Sequence, residues 1–316
     1  MAELSIYLFW TGLVTGAMAS LLYVAFAASG SVSLRRFAAQ TSAGTVTVSG
    51  ASGAPNAAMG RLATTFAAIT ALALVGAVAS RWDAVRHAPV ANLYEFTVAF
   101  AMAIATVYLV FETAFGLRRA GIVALPIVTG MLGIATQFPT TIVPLVPALQ
   151  NGPLLTIHVS VMIISYAVLT VAFCGAVIYL AQGGEGRPRR FAWLPGAEAA
   201  GDLAHHAVLA GFPMLGLGIA LGAWWANSAW GRYWGWDPKE TSALVTWLSM
   251  AAYFHARAGT GSVAGAPGIR KIVPERVRRG WRPDPMWWLV VMWGLVMFTY
   301  FGVNLWISGL HSYAGV

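Results

Sequence analysis

Long apolar runs decide what this chain can fold into. Eight of them follow one another, at roughly 5–28, 61–80, 93–115, 121–138, 155–181, 207–226, 238–257 and 286–307. A helix needs about 20 apolar residues to cross the ~30 Å hydrocarbon core of a bilayer. Strands of a membrane barrel would read as ~10-residue alternating segments, and these runs are longer and continuously apolar. Only 9% of the residues are charged and 58% are apolar, against about 25% charged in a soluble domain. Soluble globular and disordered chains are thereby excluded. The expected fold class is all-α, a polytopic membrane protein with about eight transmembrane helices forming one domain over 1–316. The first run has no basic leader or clear cleavage site and is read as a retained span.

The 19 Lys and Arg residues sort unevenly between the connecting segments. Arg35, Arg36, Arg61, Arg118, Arg119, Arg187, Arg189, Arg190, Arg257, Arg270, Lys271, Arg276, Arg278, Arg279 and Arg282 fall on one side; Arg81, Arg86, Arg232 and Lys239 fall on the other. The positive-inside rule places the first set inside and both termini outside. The localisation expected is the inner or plasma membrane, multi-pass, with outward-facing loops. Topology accounts for the net charge of +8, so nucleic acid is not expected as a partner. Residues 29–60, rich in Ser, Gly, Ala and Thr, read as a flexible inner loop. Residues 258–285 read as a basic inner loop suited to an anionic leaflet.

Cys174 is the single cysteine, which excludes an internal disulfide, a CxxC pair and a thiolate zinc site. Phosphate-loop, HExxH and dinucleotide-binding signatures are absent. Gly12–Gly16 and Gly218–Gly222 have the spacing of close helix contacts.

The informative segment is 224–240, WWANSAWGRYWGWDPKE, expected as an outer loop between the sixth and seventh spans. Trp224, Trp225, Trp230, Trp234 and Trp236 read either as an interfacial aromatic belt or as a shelf for a flat apolar ligand. Gly231 and Gly235 between them would allow close backbone approach, and indoles would supply stacking faces. Asp237-Pro238-Lys239-Glu240 reads as a capping box opening the seventh span, which is compatible with Asp237 also orienting a ligand.

Histidines on apolar helices usually pack and hydrogen-bond. His158 and His311, however, fall on the same membrane face as the tryptophans. Two neutral imidazoles beside a planar aromatic shelf are what axial ligation of a haem iron requires. His255 lies deep in the seventh span, with His205 and His206 at comparable depth. His87 has no such company.

Trp230-Gly231-x-x-Trp234-x-Trp236-Asp237 resembles the WGxxWxWD signature of the haem-handling proteins of cytochrome c biogenesis. Asn92-Leu93-Tyr94-Glu95, Thr156-Ile157-His158-Val159 with Tyr166, Thr246-Trp247-Leu248 with Tyr253-Phe254-His255 and Arg257, and Gly302-Val303-Asn304 with Gly309-Leu310-His311-Ser312-Tyr313 extend the resemblance over about 60–316. The family is the CcsA/ResC type, called CcsB in some actinobacteria: the membrane component of the system II cytochrome c synthase. The resemblance implies haem transport or presentation and covalent attachment to apocytochrome c CxxCH motifs outside the membrane. It implies non-covalent haem b between His158 and His311, cradled by the five tryptophans, Asp237 and Glu240. His158, His311 and Asp237 are then the residues expected to carry catalysis. His255 would ligate a second haem within the membrane, completed by a CcsB/ResB-type partner. Thiol-reducing proteins are further expected partners. Two other readings stand beside this one: a membrane electron-transfer subunit with permanent b-haem, and a transporter using its histidines in a proton relay. Against the transporter, Glu112 is the acid that could serve such a relay, and it lies near an inner end.

Overall fold

The computed structural model describes residues 1–41, 56–142, 145, 147–150, 152–261, 284–307 and 309–311. Their regular structure is all helical, with the main helices α1 (Ala2–Thr41), α2 (Ala57–Val85), α3 (Leu93–Phe115), α4 (Gly121–Ala135), α5 (Gly152–Gln182), α6 (Ala197–Trp230), α7 (Pro238–Gly261), α8 (Met286–Met297) and the short α9 (Val303–Trp306). Among the described residues seven helical segments are long and apolar enough to cross a membrane. The eighth expected span, α7, has 24 residues, about 36 Å at 1.5 Å each. It is less apolar than the others because it carries Lys239, Glu240 and buried Ser242, Thr246 and Ser249. Those hydroxyls are satisfied within their own helix, each bonding a carbonyl three or four residues back.

Two expectations about connecting segments change. Helix occupies 29–41 and resumes at Ala57, on both flanks of the segment read as a flexible loop. Its centre, 42–55, lies outside the described residues, as does 262–283 of the basic loop. Residues Trp224–Trp230 are not loop but the last two turns of α6. No Gly or Pro lies between Trp224 and Gly231, which ends the helix at φ +72° with its N–H bonded to Asn227 O at 3.0 Å.

α5 lies along α6 and α1 along α2, while α3 touches α2, α4 and α5 and α8 rests on α5 and α7. Two buried carboxylates tie this assembly. Glu112 on α3 accepts from Tyr23 on α1, Thr64 on α2 and Tyr108, with Arg118 at 3.2 Å. Glu95 on α3 pairs with Arg81 at 2.9 Å, both nearly fully buried. Arg81 therefore belongs to the core and not to a loop. Glu95 also caps Ala91 N at 3.0 Å, fixing the turn into α3. Between α8 and α9 the chain makes a π-helical turn, Phe298–Gly302. Such turns turn side chains out of α register, and this one sends Tyr300 to the Thr97 hydroxyl of α3.

Candidate functional site

One cleft stands out at the end of the bundle where α6 gives way to α7. It holds about 1090 Å³ of unfilled space out to its open mouth. Its walls are mostly apolar, from Leu93 and Phe96 of α3, Leu155 and Met162 of α5, and Ile219 of α6. Into it come His158, Trp225, Trp234, Lys239, Glu240, Asn304 and His311.

His158 stands on α5 against a gap in α6. Gly222 makes that gap, since a Cβ there would lie 2.6 Å from the imidazole Cε1, whereas one on Gly218 would meet Met162. The ring therefore reaches the α6 backbone, and its Nδ1 meets Gly218 O at 2.9 Å. A carbonyl only accepts, so Nδ1 carries the proton and the Nε2 lone pair is set.

His311 arrives from the other end of the sequence. Its Nδ1 lies 2.6 Å from Asp237 Oδ2, and the carboxylate likewise accepts. Asp237 also takes Leu310 N at 2.5 Å and Lys239 N at 3.1 Å. Burial alone would raise the Asp237 carboxyl. The His311 ring and the two backbone N–H groups outweigh it and hold the group below the ordinary carboxylate range. Glu240 Oε2 completes the capping box on Asp237 N at 3.1 Å and also binds Gly235 N at 2.9 Å. Asp237 thus caps α7 as expected, and its second partner is the His311 imidazole, which the sequence did not indicate.

Trp225 ties the two histidines together. His158 stacks on it at 6.2 Å and 9°, His311 tilts against it at 5.7 Å, and Trp230 meets His311 edge-on at 4.9 Å. Trp225 Nε1 and Asn304 Oδ1 are buried without a hydrogen-bond partner. Unpaired polar atoms in the residues of a cleft are a mark of a ligand site.

The remaining candidates fall elsewhere. Trp224 is 60% exposed and Trp236 70% exposed, and neither lines the cleft. Consecutive helical residues diverge by about 100°, so with Trp225 inward Trp224 turns outward. Trp236 takes a left-handed turn at φ +56°, which sends its ring out as the chain swings into Asp237. His255 is exposed near the far end of α7, its Nδ1 at 3.0 Å from Ala251 O. His205 on α6 lies 3.1 Å from Tyr253 OH and against Phe254, while His206 packs on Phe115. Sequence reasoning missed Lys239 and Asn304 as wall residues. The Gly218–Gly222 spacing held the only hint of the gap that seats His158.

The decisive comparison is with the family described as cytochrome C assembly protein, which matches residues 90–311. This chain belongs to the cytochrome c assembly family. The match begins at the α3 entry and ends on His311, enclosing every residue of the cleft. A relative from Chlamydomonas reinhardtii, named cytochrome c biogenesis protein CcsA, is 37% identical over 255 residues. That alignment covers 78% of this chain and 66% of the relative. Proteins of the same name from Microcystis aeruginosa and Gloeobacter violaceus are 33% and 30% identical, over 80% of this chain and 87% and 86% of theirs. A polytopic helical membrane protein of cytochrome c assembly is what both sequence and structure describe.

Proposed function

We propose that this member of the cytochrome c assembly family holds haem b in the cleft and presents it for covalent attachment to apocytochrome c. One observation carries the reading. Two imidazoles from distant parts of the chain share one apolar cleft and one indole, each with Nδ1 held by a fixed acceptor. Metal-ligating histidines are oriented in this way, by a carbonyl or carboxylate on the other ring nitrogen. The residues fit haem: an apolar cleft suits a flat macrocycle, and Trp225 and Trp234 line it.

When bound, haem supplies an iron for the two imidazoles and two vinyl groups across which the CxxCH thiols add S–H. The chain's part is positional. His158 and His311 fix the macrocycle, and Asp237 holds the His311 ring in its tautomer. The apolar walls exclude water, and Trp236, exposed at the mouth, faces what docks there. Near-attack positioning of this kind is worth ~7–11 kcal/mol of a barrier. The cleft then faces outside an inner or plasma membrane, the side opposite the basic connections. Haem-lyase activity belongs to a complex with a CcsB/ResB-type subunit, and exposed His255 is the residue that such a partner would complete as a second haem site. Thiol-reducing proteins would keep the CxxCH acceptor reduced. Glu112, engaged on four sides, supports no proton relay and hence no relay-driven transporter.

The test is a pyridine haemochrome spectrum of the detergent-purified chain, expressed with its partner, beside His158→Ala and His311→Ala. A b-type spectrum lost in both and regained with imidazole is expected. Unchanged haem in both variants would overturn the reading.

A further inference from the structure

We propose that Lys239 forms a carboxylate-binding subsite of the cleft and takes an acidic side chain of the porphyrin. This rests on the haem reading above and adds which edge of the ligand goes where. Among the described residues that line the cleft, Lys239 is the one Lys or Arg. An ammonium in apolar walls needs an anion or several acceptors. Its Nζ reaches one acceptor, His311 O, at 3.5 Å, a long bond for a group with three donors.

The two nearby acids are engaged elsewhere. Asp237 is taken by the His311 ring, Leu310 N and Lys239's own backbone N–H. Glu240 is taken by Gly235 N and Asp237 N. No carboxylate among the described residues lies within ion-pair distance of Lys239 Nζ. The cleft therefore presents an ammonium with no carboxylate in ion-pair contact among the described residues, Asp237 acting on it only at longer range, beside the segment that carries His311. A porphyrin with two carboxylates on one edge supplies that anion, and a charge-assisted pair here is short and strong. Its carboxylate edge then sits at the start of α7, and its vinyl-bearing edge points away from α7.

The test titrates the full chain, purified in detergent and freed of haem, with ferric protoporphyrin IX and separately with its dimethyl ester. The low-spin absorbance band gives each affinity. The parent protein should prefer the diacid by at least about tenfold. Lys239→Met should bring that ratio near one by weakening the diacid alone, and Lys239→Arg should restore most of it. Comparing ratios between variants cancels the ester's greater partition into detergent. Should Lys239→Met fail to fold by circular dichroism, Lys239→Gln takes its place. An unchanged ratio in the charge-removing variant, or no preference in the parent, overturns the subsite. His158→Ala separates the two ideas. If it leaves both titrations unaltered, the haem reading fails. If it abolishes the low-spin band for both porphyrins while Lys239→Met changes nothing, the subsite alone fails.

Discussion

Gly222→Ala is the sharpest probe of how the cleft is built. The added Cβ would lie 2.6 Å from His158 Cε1, 3.1 Å from Nδ1 and 3.2 Å from Nε2. Carbon atoms rest at about 3.5–4.0 Å, so the ring must retreat from α6 by roughly 1 Å. The Nδ1–Gly218 O bond, now 2.9 Å, would stretch to roughly 3.9 Å, past hydrogen-bonding range. The imidazole loses both its tautomer lock and its aim. Loss of such an orienting partner costs about 10–100-fold in metal affinity, or about 1.4–2.7 kcal/mol. The helix itself gains, since Ala is favoured over Gly by about 1 kcal/mol, so unfolding does not explain the loss. Gly218→Ala is the internal control. There the new Cβ meets Met162 Sδ at 2.5 Å, a flexible thioether that gives way. Ferric haem titration of purified protein should show Gly222→Ala at least tenfold weaker and Gly218→Ala within about threefold of the parent. Equal affinities for the two variants would refute the proposed seating of His158.

Asp237→Asn removes the charge that holds His311 and turns an N–H₂ toward Leu310 N–H or the ring. Haem affinity should fall about 10–100-fold while the helical circular dichroism persists, and parental affinity would contradict the orienting role. Trp225→Ala should empty the shared stack and cost about 3–5 kcal/mol in stability, read as a lower melting temperature together with haem loss. Trp236→Ala should keep haem, because its ring lies outside the cleft, and lose cytochrome product; haem loss there would return Trp236 to the cradle. Glu95→Gln strands the buried Arg81 guanidinium, and about 3–5 kcal/mol of stability should go, measured by thermal unfolding in detergent.

Much of this was readable in the residues. The apolar runs located the long helices, because lipid leaves the backbone no other choice, but α1 runs on to Thr41 and α6 begins at Ala197, well outside the apolar runs at 5–28 and 207–226. The third span matched at both ends, where Asn92 caps it and Gly116 stops it. The site was less legible for a geometric reason. Two tryptophans adjacent in sequence, Trp224 and Trp225, look alike as letters yet face opposite environments on one helix. Lys239 reads as a loop cation until the turn at Asp237 brings its side chain into the cleft. The Asp237–His311 bond joins residues 74 apart, and no local pattern announces such a contact. Polar residues in the helices were legible only as exceptions, and Glu95 and Glu112 needed their partners in view before they became ties between helices.

The two imidazoles are mounted in different ways. His158 sits within a 31-residue helix and is pinned to the backbone of the next. His311 lies beyond α9, outside any helix, with its ring on the Asp237 carboxylate and against Trp225 and Trp230. The first is held by main chain and the second by side chains. On the proposed haem reading, replacing the single side chain of Asp237 would therefore loosen the second imidazole and leave the first in place.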